Sequence, residues 1–385
     1  DTSGTLEIQS AGTTKFTVNS AGVAMPGPLT GLTSINGGQV GGRRNKIING
    51  AMEINQRGTA AVATDQAFPS DRFKTAEAGG GNMTAQVVAD APASFRNSIK
   101  VIASTADDCS QAADEYRIYQ RIEGNNVVDL YYGNSGAKTT TLSFWVKSSL
   151  TGNFPVGLEN SAVNRSLVKQ YNIAHADTWE KKSVTFVGDE TGTWLITNGI
   201  GLKVSFVLGA GSNYTGTIDS WQGSRLYRGS SSVQFMATVN ATWFVTGVQL
   251  EVGSTATDFE YKTFAEELAL CQRYYEQSYN YGVAVGTTTY DGGSFVGGSA
   301  TTRTTGYIAG GSIDFRVEKR GDPTIVAYDQ AGASGKSQRY ELGVSNTNNS
   351  AIAIGHTDLR NFMCYSNTGS NATGLFLHFT ATAEL

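Results

Sequence analysis

The chain has 385 residues, including 46 Gly, 17 Tyr, 17 Phe and only 6 Pro. This length exceeds what one hydrophobic core usually fills, so two or three domains are expected. The composition is typical of short strands joined by tight turns. The formal net charge of −4 argues against a nucleic-acid partner, which would need a clustered basic surface.

The first segment, residues 1–44, carries a two-copy repeat with a spacing of ten residues. Each copy alternates apolar and polar residues and stops at Ser-Ala-Gly, the pattern of a short strand followed by a turn. Strands this short cannot cover their own apolar face, so we expect neighbouring copies of the chain to cover it. An irregular, glycine-rich linker is predicted at residues 25–42. The apolar positions of the repeat are Leu6, Ile8, Phe16 and Val18.

Residues 45–262 have the pattern of many short strands separated by turn signals, which favours a β-sandwich or a jelly roll. In one predicted strand Leu142, Phe144 and Val146 share a face that we expect to be buried. The clearest strands are predicted at residues 141–147, 182–187, 201–208 and 243–252.

The period changes to that of a helix at residues 263–278. Phe264, Leu268, Cys271 and Tyr275 fall on one stripe. Thr263, followed three residues later by a glutamate, predicts a capping box at its start. Residues 279–385 return to glycine-rich turns and short strands, which indicates a distal C-terminal β domain. The sequence therefore predicts an all-β protein with a stem segment, a central sandwich, one connecting helix and a β tip.

Several stretches resemble phage tail-fibre and receptor-binding proteins. The resemblance rests on combined motifs and covers about residues 44 to 278. The motifs are Lys46-Ile47-Ile48-Asn49-Gly50-Ala51-Met52, Gln56-Arg57-Gly58, Asp71-Arg72-Phe73, Leu142-Ser143-Phe144-Trp145-Val146-Lys147, Trp179, Gly192-Thr193-Trp194, Thr246-Gly247-Val248-Gln249-Leu250-Glu251, Phe259-Glu260, and Glu267-Leu268-Ala269-Leu270-Cys271-Gln272-Arg273-Tyr274-Tyr275.

The resemblance implies a jelly-roll domain similar to carbohydrate-binding modules, in a fibre that is a homotrimer. It also implies that the N-terminal segment contacts other phage tail proteins, and that the chain belongs to the virion, outside the cell. A similar fold does not by itself show that two proteins bind the same ligand.

We predict no enzymatic activity, because the residues offer no catalytic motif. The three histidines, His175, His356 and His378, belong to no metal pair and stand beside no nucleophile. Paired carboxylates for glycoside hydrolysis remain open, since their separation is a three-dimensional quantity. Nothing in the sequence favours any two of the candidates, which are Glu53, Asp71, Glu115, Glu159 and Asp219.

No cofactor or metal site is predicted. The cysteines lie far apart in the sequence and lack the spacing of zinc ligands. They also lack the density of a disulfide scaffold, so we expect three buried thiols. These residues are Cys109, Cys271 and Cys364.

Aromatic side chains are the better candidates for a site, because sugar rings stack their C–H faces on flat side chains. Trp221 lies in a polar, turn-like segment, where a large ring has less opportunity for burial. We predict that Trp221, with Tyr214 and Asp219 as neighbours, supports glycan binding at an exposed edge. The alternative is that Trp221 plugs the end of the sandwich. The other four tryptophans are expected in the core or the sheets: Trp145, Trp179, Trp194 and Trp243.

The sequence thus predicts a structural component of a phage tail fibre that binds a host-surface polysaccharide or an outer-membrane receptor. Two alternatives remain at this stage. The first is a glycan depolymerase of the tailspike type, although such enzymes rest on a long repeated β-helix and this chain shows no repeat beyond its first 22 residues. The second is a purely structural virion appendage.

Overall fold

The computed structural model describes residues 43–297, 311–341, 347–365 and 372–385, and the backbone of residues 6–10, 13–19 and 22–24. The predicted all-β class is confirmed. The N-terminal repeat forms an antiparallel three-stranded sheet in which Ile8 pairs with Phe16. The apolar side chains of this repeat and the predicted linker lie outside the described residues. The strands are β1 (Leu6–Ser10), β2 (Thr13–Asn19) and β3 (Gly22–Ala24).

The centre of the molecule is a sandwich of two five-stranded antiparallel sheets. Its strands are β4 (Lys74–Ala78), β5 (Asn82–Val88), β6 (Ser98–Thr105), β7 (Glu115–Glu123), β8 (Thr140–Ser148), β9 (Gly152–Glu159), β10 (Ser166–Ile173), β11 (Glu180–Phe186), β12 (Ile200–Ala210) and β13 (Thr242–Val252). The first sheet has the order β10-β9-β12-β7-β4, and the second has the order β11-β8-β13-β6-β5. The four strands predicted most clearly from the sequence are β8, β11, β12 and β13.

The core of the sandwich follows from the alternation along its strands. The side chains of Leu142, Phe144 and Val146 on β8 are fully buried, as predicted. Phe144 meets Phe206 of the opposite sheet edge-on, with ring centroids 4.9 Å apart. Burying one such side chain contributes about 1.5–3 kcal/mol, so the two inner faces hold the sheets together. The other face of the second sheet remains available for a site.

The connecting helix, α1 (Phe264–Gln272), is confirmed, and its start has the predicted capping box between Thr263 and Glu266. Its predicted end is wrong, because residues 275–277 form a strand instead. Their backbone pairs with the last strand of the chain, which satisfies peptide groups that a longer helix would have satisfied internally. Tyr275 therefore leaves the predicted helical stripe, and its ring lies 3.6 Å from the Arg57 guanidinium carbon.

The chain after the helix forms a second, smaller β region. Its strands are β14 (Tyr275–Gln277), β15 (Ser294–Gly297), β16 (Ser312–Asp314), β17 (Thr324–Tyr328), β18 (Lys336–Glu341), β19 (Thr347–Ala351), β20 (Ala353–Gly355), β21 (Asn361–Tyr365) and β22 (Ala372–Thr382). β22 pairs with β14, β15, β17 and β18. A separate core contains Phe315, Phe362 and Phe379, so this region has its own packing centre.

Ionic contacts join the sandwich to this C-terminal region. The Glu384 carboxylate pairs with Arg72 and, at 3.1 Å, with Arg57. Arg273, just after the helix, pairs with Glu123 of β7 at 2.7 Å. Burial raises the pKa of Asp71 in the same junction to about 6, although Arg57 lies 3.5 Å away. The two regions are therefore held by several charged contacts as well as by the helix.

The single α-helix of the described ranges is too short and too polar to cross a membrane. The three cysteine side chains are buried and carry free thiols. No cluster of metal-ligating side chains is found within the described part of the chain.

Candidate ligand-binding groove

The outer face of the second sheet carries polar and aromatic side chains from β8, because successive side chains of a strand point to opposite faces of the sheet. Ser143 and Trp145 point away from the core that Leu142 and Phe144 fill. In the sheet register, Trp145 pairs with Lys181 on β11 and with Thr246 on β13. Trp145 is therefore flanked on both sides by strands, which fixes the position of its backbone.

A segment that follows β13, residues 257–261, forms a wall beside this face. The buried Gln249 donates to the backbone oxygen of Asp258 at 3.2 Å and accepts from the Glu260 N–H at 2.8 Å. The buried Glu251 accepts from the Thr257 N–H at 2.8 Å and from its hydroxyl at 2.7 Å. Hydrogen bonds to a charged acceptor are the stronger kind, so the wall is firmly attached to the sheet.

Glu260 joins the same wall to the beginning of the sandwich. Its carboxylate accepts from the backbone N–H of Asn45 at 2.9 Å and of Arg44 at 3.1 Å. Burial alone would raise the pKa of Glu260, but these hydrogen bonds outweigh it and leave the pKa below its ordinary value. The carboxylate is thus held in its charged form, which is the form that these two donors favour.

Three rings from distant parts of the sequence complete the wall. Phe95 meets Phe259 edge-on at 5.1 Å, and Phe259 meets Tyr261 at 4.9 Å. The Tyr261 hydroxyl donates to the Ser94 backbone oxygen at 2.6 Å. Gly247 has φ +61°, and a Cβ there would lie 2.6 Å from Phe95. Glycine at this bulge in β13 therefore lets Phe95 approach the sheet.

These elements line an open groove of about 380 Å³, here called the sheet groove. A second cavity of about 280 Å³, here called the helix cavity, lies beside it towards α1. The two share Ser94, Phe259 and Tyr261 in their walls. The side chains that line the sheet groove include Ser143, Trp145, Lys181, Asp258, Phe259 and Tyr261.

Trp145 differs from the other four tryptophans in its hydrogen bonding. Each of the others donates its indole N–H to a protein acceptor, whereas that of Trp145 has no such partner among the described residues. No other described ring or cation packs on the Trp145 ring, which is half-buried. An indole N–H normally finds a partner when it is buried, so this donor remains available to a ligand.

Charged groups in the sheet groove also keep free bonding capacity. Lys181 and Asp258 are both exposed, and neither pairs with an ionic partner in the described ranges. Nearby, Lys147 pairs with Asp90 at 2.5 Å, and this hydrogen bond lowers the pKa of Asp90. The ammonium group of Lys181 and the carboxylate of Asp258 are therefore available for hydrogen bonds with a molecule bound in the groove.

The predicted Trp221 site lies elsewhere. Trp221 is half-buried, and its N–H donates to the Val187 backbone oxygen at 2.9 Å. Its ring meets Trp194 edge-on at 5.4 Å and Tyr132 at 5.8 Å. These three rings are here called the aromatic cluster.

The predicted neighbours of Trp221 have other partners. Tyr214 packs on Tyr227, with centroids 4.9 Å apart. The exposed Asp219, with φ +69°, pairs with Lys169 at 3.1 Å. Glycan binding by Trp221, Tyr214 and Asp219 stays a prediction.

The candidate carboxylates have specific surroundings in the fold. Arg225 joins two of them, at 3.2 Å from Glu159 and 3.9 Å from Glu115. Glu159 also pairs with Lys203 at 2.5 Å. Glu53 is half-buried in the wall of the helix cavity, and burial raises its pKa.

The sequence reasoning missed the sheet groove, although Trp145 is a sheet residue as predicted. The available signal was the polar alternation of Ser143, Trp145 and Lys147, which marks one strand face as solvent-facing. The pairing of Trp145 with Lys181 and the approach of Phe95 depend on contacts distant in sequence. The alternation along this strand would have identified Trp145 as a surface residue but not the residues that form the walls of the groove.

Comparison with known proteins adds distant structural likenesses. No protein-family profile and no curated protein matches the chain. Among solved structures, a putative sugar binding protein from Bacteroides thetaiotaomicron is 13% identical, with 54% of this chain and 100% of that chain covered and a TM-score of 0.32. The CBM22-1 xylan-binding domain from Paenibacillus barcinonensis Xyn10C is 10% identical, with coverages of 58% and 100% and a TM-score of 0.28.

A third likeness is to the enzymatically active domain of bacteriophage CBA120 tailspike protein 4. It is 11% identical, the match covers 54% of this chain, and the TM-score is 0.28. The matched part spans only 21% of that tailspike chain. At such identities and TM-scores, none of these likenesses carries an argument about function.

Proposed function

We propose that this protein is a non-catalytic, glycan-binding component of a phage tail fibre, and that the sheet groove binds the glycan. The observation that carries the proposal is Trp145, a half-buried indole on whose ring no other described ring or cation packs and whose N–H has no partner among the described residues. A sugar ring presents C–H groups on its faces and hydroxyls at its edge. An accessible indole beside polar groups complements both parts.

The surrounding groups have the chemistry to orient such a ring. Lys181 donates to sugar hydroxyl oxygens, Asp258 accepts from sugar hydroxyls, and the indole N–H of Trp145 supplies a further donor. The wall that carries Phe259 and Tyr261 is already hydrogen-bonded to the sheet. Little ordering is therefore needed on binding, which favours affinity.

The biological setting of the proposal is the virion, with a host-surface polysaccharide as the partner. The motif combination of residues 44 to 278 supports it, as does the N-terminal repeat, whose backbone forms short paired strands. A homotrimer would bring three grooves to one cell surface, and such multivalency raises weak affinities by about two to four orders of magnitude. Light scattering on the intact chain should give a trimeric mass, and a monomer at micromolar concentration would contradict this part.

The test of binding uses a printed array of bacterial capsular and lipopolysaccharide glycans, with the intact protein as the probe. We expect at least one glycan to be bound and recovered without release of oligosaccharide. Trp145→Ala should weaken binding about tenfold or more, as for a central interface anchor. The exposed Tyr131, outside the groove, provides the control variant Tyr131→Ala, which should bind normally.

Three outcomes would contradict the proposal. If no glycan on the array is bound, the protein is not a glycan-binding protein of this kind. If Trp221→Ala abolishes binding and Trp145→Ala does not, the aromatic cluster is the site. If oligosaccharide is released, the protein is a depolymerase.

A further inference from the structure

The sheet groove continues beyond the sandwich. The helix cavity shares three wall residues with it and reaches the first turn of α1, where Phe264 and Glu267 form part of its lining. Phe264 is 49% exposed, and it begins a helix in which only Cys271 and Gln272 are buried. An exposed phenylalanine at the mouth of a cavity is available as a second stacking surface.

Tyr281 of the C-terminal region extends this second surface. Its ring meets Phe264 edge-on, with centroids 5.1 Å apart, and 44% of its surface is exposed. Its hydroxyl donates to the Glu53 backbone oxygen at 2.9 Å and accepts from the Asn55 N–H at 3.0 Å. Tyr281 is thus fastened to the sandwich although it belongs to the region that follows the helix.

The backbone positions of Phe264 and of Trp145, at the far ends of the two cavities, are fixed before any ligand binds. Phe264 is the first residue after the helix cap, in which the Thr263 hydroxyl accepts from the Glu266 N–H at 3.3 Å. At the other end, Trp145 lies inside a paired strand. The rings of Phe259 and Tyr261 lie in the wall between them, since both cavities include these residues.

Polar groups occur along the helix cavity as well. Arg96 is exposed and has no ion-pair partner in the described ranges, and it lines the cavity together with Glu53 and Lys262. The two cavities have comparable sizes of about 280 and 380 Å³ and similar mixtures of rings and charged groups. A ligand that repeats the same chemistry along its length fits this arrangement better than a single compact molecule.

We propose that the sheet groove and the helix cavity together bind an internal stretch of a linear glycan, which runs from Trp145 past Tyr261 to Phe264 and Tyr281. This inference rests on the proposed glycan-binding function and deepens it. Recognition then depends on chain length, because a short oligosaccharide reaches only one of the two aromatic ends. The sandwich, the helix and the C-terminal region all contribute to one site.

The test compares two oligosaccharides, of two and of six sugar units, prepared by partial hydrolysis of the glycan that the array retains. Titration calorimetry with the intact protein should show the six-unit chain binding about tenfold or more tightly. Phe264→Ala should remove most of this advantage and leave the two-unit affinity unchanged. Trp145→Ala should weaken both ligands, and Tyr131→Ala neither.

Phe264→Tyr keeps the ring and should retain the length dependence, which separates stacking from a disturbance of the helix. Tyr281→Phe keeps the second ring but loses the two backbone hydrogen bonds, so it should weaken the six-unit chain less than Phe264→Ala does. Equal affinities for the two lengths, or an unaffected six-unit affinity in Phe264→Ala, would overturn the extended site. The proposed function would survive that result, provided that Trp145→Ala still weakens binding.

Discussion

The sheet groove and the aromatic cluster contain the same kinds of side chain but use them differently. The groove combines Trp145 with other rings, a carboxylate and a basic residue, and the aromatic cluster lies beside the carboxylate of Asp189, which pairs with Arg165. In the aromatic cluster, Trp194 and Trp221 donate their N–H groups to protein acceptors. In the groove, Trp145 has no such partner among the described residues. The two regions therefore differ in unused hydrogen-bonding capacity and not in aromatic content.

The difference follows from where the buried carboxylate lies. Asp189, beside the aromatic cluster, accepts from Arg165 at 2.5 Å and from the Trp194 N–H at 3.1 Å, so it takes up one of the two indole donors of the cluster. Glu251 beneath the groove accepts instead from Thr257 of the wall. Glu251 thus fixes the wall of the groove without hydrogen bonding to the side chains that face into the groove.

The largest effect is expected for a substitution beside the aromatic cluster, which should lower the free energy of unfolding. Asp189→Ala leaves the Arg165 guanidinium without its acceptor, while the Trp194 N–H keeps only the Thr191 backbone oxygen, at 3.2 Å. Because Asp189 is buried and Arg165 is partly exposed, we expect a loss at the low end of the range for buried ion pairs, about 3 kcal/mol of unfolding free energy. Urea denaturation at pH 7 measures this loss. Glycan affinity should be unchanged, because the groove contributes nothing to the pair.

The matched control for this loss is Asp90→Ala. Asp90 also accepts from a basic residue, Lys147, and from an indole, Trp179, but its side chain is 48% exposed. Exposed pairs contribute about 0–1 kcal/mol, so this variant should be nearly as stable as the wild type. If Asp189→Ala and Asp90→Ala lose the same unfolding free energy, burial of the carboxylate does not explain the stability of the Asp189 pair.

A smaller effect should appear when the wall of the groove is loosened. Thr257→Val preserves the side-chain shape but removes the hydroxyl that donates to Glu251. Because the wall becomes less ordered, we expect glycan affinity to fall about fivefold, equivalent to ~1 kcal/mol. Calorimetric titration with the glycan retained by the array measures the change.

Thr191→Val is the corresponding change in the aromatic cluster, where the Thr191 hydroxyl donates to Asp189 at 3.1 Å. It removes the same kind of hydrogen bond from a threonine to a carboxylate. This variant should bind the glycan as the wild type does. Reduced affinity in Thr191→Val but not in Thr257→Val would reverse the assignment of the two regions.

The smallest expected effect concerns pH and the ion pair beside the groove. The hydrogen bond from Lys147 lowers the pKa of Asp90 in the folded protein. A lowered carboxyl pKa stabilises the fold above the unfolded pKa of about 3.9, and the contribution is lost as pH falls through the folded value. The difference in unfolding free energy between wild type and Asp90→Asn should be about 0.5 kcal/mol at pH 7. It should vanish in acid, below the folded pKa.

Urea denaturation at pH 7 and at acidic pH measures this change, and 1 M salt at pH 7 should shrink it as well, because salt screens exposed pairs. A difference that grows in acid would show that the Asp90 carboxylate destabilises the fold. The effect is small because half of this carboxylate remains in water.

The sequence predicted the local features of the site and missed its assembly. The alternation of Leu142, Phe144 and Val146 with Ser143 and Trp145 identified which strand face is buried, because side chains alternate across a sheet whatever its neighbours are. The capping box at Thr263 was also predicted, since its partners lie three residues apart. The end of the helix was predicted wrongly, because β14 pairs with a strand about a hundred residues further along the chain.

By itself, then, the sequence determined the all-β class, the inward face of each clear strand and the start of the helix, all of which depend on neighbours within a few residues. Only the tertiary structure decided that Lys181 lies beside Trp145 and that Phe95 packs over Gly247. It also decided that the Trp221 N–H has an acceptor, whereas the Trp145 N–H has none among the described residues. The physical reason is that hydrogen bonds are shared between groups far apart in the chain. Whether an indole N–H is satisfied depends on which acceptors folding brings to it, and no local pattern records that.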